Sequence, residues 1–294
     1  MRVAVTAIAV ATVGGLLLGA AIPNAEQVRP LALPMLFVQT AVAVGALSED
    51  KSSSTRRWAW DMFLRHHLFA SLPLMALGLS MGLDTSWGVG TFLLGAAPTA
   101  IALPSNVAAC GGQVRPAVQF TLLGYGVGVI LTPALVLLAL GASGRVGPMV
   151  TALLVGLIAP ALLGVVARPW LQQIPRGLSF TIVAASVLVL MLGMGSDLRD
   201  AITLGLERPA LLGMAAAIGF GRVAWGASLA LRFPPQGKLR LEAVLAGGGK
   251  NAVLAAVIAN ASFGPLAALP ALVSLFAEIT LLFTVSALRR RLHA

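Results

Sequence analysis

The chain has 294 residues, 58% of them hydrophobic and only 10% charged, with a net charge of +10 and a mean hydropathy of +0.94. Soluble domains average about 25% charged residues, so composition excludes a sizeable soluble domain and marks an integral membrane protein. One cysteine, Cys110, excludes an intrachain disulfide and a cysteine-built metal cage, and the histidines His66, His67 and His293 fall in or near predicted loops without metal-ligand spacing.

A bilayer core requires about 20 apolar residues per helix. Ten runs reach roughly that length, at about 3–22, 30–47, 68–83, 88–109, 115–140, 146–167, 178–195, 209–231, 240–260 and 266–288. They are rich in Ala, Leu and Gly and lack alternation, so they are predicted as helices, not strands. The first run, with Arg2 before it and Gly19-Ala20-Ala21 after it, also resembles a signal peptide. Cleavage would leave nine spans with termini on opposite sides and spoil the charge asymmetry described next, so the run is kept as a span. Trp58, Trp60, Trp87 and Trp170 flank spans as an aromatic belt would, whereas Trp225 lies inside one.

Ten spans put both termini on one side. That side carries Arg2, Lys51, Arg56, Arg57, Arg65, Arg115, Arg168, Arg176, Arg232, Lys238, Arg240, Arg289, Arg290 and Arg291. The other carries only Arg29, Arg145, Arg199 and Arg208. Basic residues gather in the cytoplasm, which predicts a multi-pass inner-membrane protein with cytoplasmic termini. The positive charge is then a topology signal and a contact for anionic lipid headgroups, and nucleic acid is not expected as a partner.

Residues 1–141 and 146–294 hold five runs each, joined by the turn Gly141–Arg145. An odd number per half inverts the second half relative to the first, a common transporter plan. The expected fold is therefore all-α, with ten transmembrane helices in two inverted five-helix repeats. The fourth run of each half is interrupted: Pro104-Ser105-Asn106 in one, Gly247-Gly248-Gly249-Lys250-Asn251 in the other, with Asn106 and Asn251 close to half a chain apart. Pro104 lacks an N–H and pushes Leu103 toward extended backbone. The glycines relax the chain and admit a close neighbour. Non-helical backbone inside a bilayer must be buried in protein or line a cavity. Half-helix ends expose N–H groups to an anion and carbonyls to a cation.

Gly95-Ala96-Ala97-Pro98, Ser105-Asn106-Val107, Leu131-Thr132-Pro133, Lys250-Asn251-Ala252-Val253-Leu254-Ala255, Phe263-Gly264-Pro265 and Leu269-Pro270-Ala271 together resemble the bile acid:sodium symporter family and its bacterial homologues. The resemblance covers most of the chain. It implies a panel domain of helices 1, 2, 6 and 7 and a core domain of helices 3, 4, 5, 8, 9 and 10, with broken helices 4 and 9 crossing near the midplane. It also implies sodium-site positions at Ser105, Asn106 and Asn251. At the family's glutamate and glutamine positions this chain has Ala246 and Lys250, and its fifth helix keeps Thr121 beside Gly124-Tyr125-Gly126. Losing a carboxylate and gaining an ammonium argues against ordinary sodium symport.

A lysine near the bilayer centre costs about 2.5–3.5 kcal/mol on insertion scales and is normally paired and functional. Lys250 is expected to stand in for sodium, to titrate and couple transport to protons, or to pair with Glu278, the only acid deep in the last run. Arg222, inside the eighth run, is expected to meet a substrate carboxylate, to pair with Glu278, or to snorkel to the cytoplasmic face. Glu242 and Asp61 are expected at the interface, and Cys110 as a packing residue rather than an arsenite ligand.

The expected function is secondary transport of a small organic anion by alternating access. The substrate and ion site is Ser105, Asn106, Thr121, Lys250 and Asn251; the candidate charge partners are Arg222 and Glu278; the helix breaks are Pro104, Gly247, Gly248 and Gly249. Competing readings are a sodium-coupled symporter of bile-acid-like or other organic anions, a proton- or metalloid-linked exporter of related fold, and a membrane sensor subunit. No catalytic constellation is present, Gly247-Gly248-Gly249-Lys250-Asn251 lacks the phosphate-loop pattern, and no metal or other cofactor is expected. Expected partners are the anion, membrane lipid and protons.

Overall fold

A computed structural model describes residues 7, 10–46, 53–141, 146–207, 209–232 and 240–293. Arg2, Lys51, Arg145, Arg208 and Lys238, used above for orientation, lie outside the described residues, as do the side chains of Arg176, Arg290, Arg291 and His293.

Among the described residues the regular structure is helical throughout. A π-turn, Val10–Gly14, enters α1 (Gly15–Ala21), and a 3-10 stretch, Ala25–Leu31, enters α2 (Ala32–Ala46). Next come α3 (Ser53–His66), a π-turn His67–Ser71 and α4 (Leu72–Ser80), which continue one another. The fourth predicted run is split into α5 (Ser86–Ala96) and α6 (Leu103–Ala109), followed by the long α7 (Val114–Leu140). Then come α8 (Val146–Leu153), a π-turn Leu154–Ile158, α9 (Ala159–Val166), the short α10 (Arg168–Leu171) and α11 (Arg176–Glu207). After α12 (Pro209–Arg232), the ninth run splits into α13 (Arg240–Gly248) and α14 (Ala252–Phe263), and α15 (Pro265–His293) follows.

Among the described residues six stretches are long and apolar enough to cross a membrane: Gln27–Gly45, Thr55–Ser80, Val114–Leu140, Gly177–Asp200, Pro209–Arg232 and Pro265–Arg289. Of the ten predicted runs, the fourth and ninth drop out of that set because each is two short half-helices, and the first and sixth because their described apolar helices, Val10–Ala21 and Leu154–Val166, are short. The third begins about fifteen residues before its predicted start, because the arginine-bearing segment Ser53–His66 is also helical. His66 and His67 therefore sit inside a helical stretch rather than beside a loop. His66 is 2% exposed, its ring edge-on to Phe120.

Two packing groups recur. The first joins α1, α2, α9 and α11; the second joins α5, α12, α13, α14 and α15, with α3 against α7 and α4 against α5. In lipid, helices associate through close packing more than through water exclusion, so small residues mark contacts. Gly226 of α12 and Gly247 of α13 meet backbone to backbone: a Cβ on Gly226 would lie 2.1 Å from the Gly247 carbonyl oxygen. Between α14 and α15, Gly264 has φ 88° and ψ 179°, a conformation essentially confined to glycine, which makes the turn possible.

The tryptophans depart from the predicted belt. Trp60 and Trp170 are exposed, but Trp58 is 4% exposed and stacks edge-on against Phe120, and Trp87 is also buried. Glu242, expected at the interface, is 1% exposed. Its Oε1 accepts the Gln113 N–H in the turn between α6 and α7, and that hydrogen bond draws the carboxylate inward. Asp61 is half-buried and pairs with Arg65 one turn on at 2.8 Å. Cys110 is buried, its thiol 3.8 Å from the Leu282 carbonyl.

Candidate transport site at the crossing of two broken helices

The first break falls earlier than the sequence placed it. The helix stops at Ala96 and resumes at Leu103, leaving 97–102 non-helical. Pro98 lies in that break, whereas Pro104 sits in the first turn of α6. A proline is tolerated in a first turn because the N–H it lacks would have had no partner there. Asn106 is thus the fourth residue of α6, while Asn251 immediately precedes α14, so the two asparagines are not equivalent in their half-helices. In the second break Gly247 and Gly248 still belong to α13, and 249–251 is the interruption.

The breaks meet as a short antiparallel contact that pairs Thr99 with Lys250. The Asn251 N–H donates to the Pro98 carbonyl at 2.9 Å. Helix ends leave carbonyls without intrahelical partners, and burial makes each such orphan costly. Around the end of α5 four consecutive carbonyls are satisfied. Lys250 Nζ donates to Gly95 at 2.7 Å and to Ala97 at 2.6 Å, Thr132 Oγ1 donates to Ala96 at 2.8 Å, and Asn251 N takes Pro98. The Lys250 ammonium therefore stands at the negative end of a half-helix, the place the peptide dipoles favour for a cation. Lys250 is 1% exposed.

Asn251 serves the opposite polarity. Its Oδ1 accepts the Leu254 N–H at 3.0 Å, capping α14, and its Nδ2 donates to the Tyr125 hydroxyl. Behind the crossing, Arg222 Nη1 donates to the Gly248 carbonyl at 2.9 Å and Nε to Ser274 Oγ at 2.9 Å, while Nη2 pairs with Glu278. Glu278 also accepts the Lys250 backbone N–H at 3.1 Å. The carboxylate thus pairs with Arg222 and touches Lys250 only through the main chain, so neither the Lys250–Glu278 ion pair nor a snorkelling Arg222 describes the arrangement. Formally, two buried cations face one carboxylate.

The remaining predicted residues are more dispersed. Asn106 and Glu278 line one small cavity of about 20 Å³, room for about one water molecule. Thr121 is fully buried on α7, and its Oγ1 has no hydrogen-bond partner. Ser105 is exposed on α6. Sequence reasoning did not assign Tyr125, Thr132, Ser274 or the 95–98 carbonyls to the site. Pro98 was the available signal, since it cannot continue a helix ladder and biases Ala97 to extended backbone.

A family model for the SBF-like CPA transporter family matches residues 3–294. The chain belongs to that family. The match agrees with the bile acid:sodium symporter-type resemblance read from the motifs above. Membership in the SBF-like CPA transporter family, with the apolar helices, makes this a multi-pass membrane transporter acting on a small-molecule substrate. No curated protein matches the chain.

Proposed function

We propose that the chain moves a small organic anion across the inner membrane by alternating access, without ordinary sodium symport. The observation that carries this reading is the Lys250 ammonium on the Gly95 and Ala97 carbonyls. It occupies with a fixed covalent charge the kind of carbonyl cluster a sodium ion would require. Lys250, Arg222 and Glu278 together carry a formal charge of +1 at the crossing, which favours an anionic substrate over a cationic one. Alternating access follows from ten spans in two inverted halves, 1–141 and 146–294, with helices 1, 2, 6 and 7 as a panel and the others as a moving core. The two packing groups support that division, and the excess of basic residues on one side supports cytoplasmic termini. Proton symport, uniport and exchange each fit this reading better than sodium symport does. The family match weighs against a sensor subunit and against catalysis.

Uptake by proteoliposomes of a panel of labelled carboxylates, with sodium, potassium and pH gradients imposed separately, tests the reading. Anion flux that is independent of the sodium gradient is expected. Flux of no anion under any gradient would refute it.

A further inference from the structure

A second cavity, of about 330 Å³, lies apart from the crossing, between the stretch α3–α4 and helix α12. Met62, Arg65 and Phe69 line it from the first side, at the three- and four-residue spacing of neighbours on one helix face. Gly226 and Leu229 line it from α12, and the Gly226–Gly247 contact is its floor. Deeper along both helices the Phe69 carbonyl accepts the Trp225 Nε1–H at 2.8 Å, which ties α12 to the π-turn His67–Ser71.

The surroundings of this groove are those of a lipid-facing site. The main neighbours of α3, α4 and α12 are α5, α7, α13 and α15, so the groove lies on the outside of that packing group rather than between the two groups. Its rim is apolar and open: Phe69 is 48% exposed and Trp225 54%. Both belong to stretches long and apolar enough to cross a membrane, Thr55–Ser80 and Pro209–Arg232. Large exposed apolar side chains there meet hydrocarbon, not water.

Charge falls at one level of the two helices. Arg65, at the edge of the groove, directly precedes the apolar run that starts near 68, and Arg232 directly follows the run that ends near 231. Both arginines thus stand where hydrocarbon gives way to headgroups. Asp61 accepts from Arg65 Nε at 2.8 Å and holds the guanidinium in place. Residues 53–70 and 226–232 carry Arg56, Arg57, Arg65 and Arg232 against Asp61 as the one acid. Basic pockets between membrane helices on the cytoplasmic side suit anionic headgroups. The cavity is at the lower end of small-ligand pockets, which run to about 300–1,000 Å³, a size that suits a length of one acyl chain.

We propose that this groove is a site for one anionic membrane phospholipid, with an acyl chain against Met62, Phe69 and Leu229 and the phosphate toward Arg65 and Arg232. This is a single site of defined stoichiometry, distinct from a general attraction of the basic surface for the membrane, and it does not depend on what the protein transports. The lipid also reaches the crossing. Its chain rests on Gly247, and the carbonyl of the next residue, Gly248, is held by Arg222. A filled groove therefore braces the α12–α13 contact from the lipid side.

The test is native mass spectrometry of the intact detergent-purified protein, with dioleoylphosphatidylglycerol or dioleoylphosphatidylcholine added at equal concentration. One phosphatidylglycerol is expected to survive activation that strips all other lipid, with phosphatidylcholine retained at least tenfold less. Arg65→Gln with Arg232→Gln should lower phosphatidylglycerol retention at least fivefold. Arg168→Gln, which removes a charge from the other packing group, should leave it unchanged. Leu229→Trp fills the groove with the arginines intact and should reduce retention to the phosphatidylcholine level. The proposal is overturned if the two lipids are retained equally, or if the double arginine variant holds phosphatidylglycerol as wild type does. It is also overturned if Arg168→Gln weakens retention as much as the double variant, the pattern of diffuse attraction. Undiminished retention by Leu229→Trp that elutes as a single species removes the acyl chain from the groove and refutes the site. If Leu229→Trp does not fold, the comparison of the arginine variants still decides.

Discussion

Replacing Lys250 with methionine isolates what its ammonium does for the fold. The side chain is almost fully buried and donates to the Gly95 and Ala97 carbonyls. Methionine preserves much of the volume and apolar stem but leaves both carbonyls without a donor. A buried unsatisfied polar group costs about 1–3 kcal/mol, so the two together cost about 2–6 kcal/mol. Against this, the variant no longer holds an ammonium out of water, whose penalty is several kcal/mol per ion before its partners offset it. The Lys250 main-chain bond to Glu278 and the Arg222–Glu278 pair survive, because neither uses the ammonium. The expected net loss is about 2–4 kcal/mol, the lower part of that range, because the relieved ammonium penalty offsets some of it. Thermal unfolding of the detergent-solubilised variant, followed by tryptophan fluorescence at fixed detergent and lipid, measures it. If Lys250→Met is as stable as wild type, the ammonium does not satisfy these carbonyls, and the reading of Lys250 as a built-in cation fails.

Three further outcomes follow from the same geometry. Arg222→Met strands the Glu278 carboxylate and should destabilise by about 3–5 kcal/mol, whereas Arg222→Met with Glu278→Gln should recover more than half of that loss in the same unfolding assay. Equal losses in the single and double variants would show that the pair is not coupled. Gly226→Leu should prevent a folded, monodisperse protein on gel filtration, because even its Cβ would lie 2.1 Å from the Gly247 carbonyl oxygen; a normal elution profile would contradict the close α12–α13 contact. Tyr125→Phe removes the acceptor for Asn251 Nδ2 and should cost about 1–3 kcal/mol, with anion uptake reduced but not abolished. Wild-type stability would mean that the Asn251–Tyr125 bond contributes nothing to the crossing.

How much of this could be read from sequence depended on the scale of the feature. Helical character followed directly from the length and apolarity of the runs. The existence of two interruptions followed from proline and a glycine run inside apolar segments. The exact edge of the first did not, because Pro104 attracts attention that belongs to Pro98: both are prolines, but only tertiary context decides which one stops a helix and which one starts the next. The third helical stretch was shortened for a related reason. Its first turns carry Arg56, Arg57, Asp61 and Arg65, which hydropathy scores as loop although the backbone is helical. Pairing was the least accessible feature. Lys250, Arg222 and Glu278 stood out as intramembrane charges, and an Arg222–Glu278 pair was one of the expectations, yet sequence offers no way to choose it over a Lys250–Glu278 pair or to see that the lysine reaches across to α5. Glu242 shows the same limit: its place near a span end suggested water, but its actual partner is the Gln113 N–H. His66, placed near a loop from sequence, is buried with its ring edge-on to Phe120, a contact that only the packing of α3 on α7 creates.

The central claim is that Lys250 supplies the cation that a sodium-coupled relative would have to bind. The most direct measurement compares the sodium dependence of anion uptake in proteoliposomes between wild type and the double variant Lys250→Gln with Ala246→Glu, which restores an amide and a carboxylate to the second break. The account predicts that wild-type flux is the same in sodium and in potassium, and that the double variant transports only with sodium present. A wild-type flux that requires sodium, or a folded double variant whose flux ignores it, would contradict the claim.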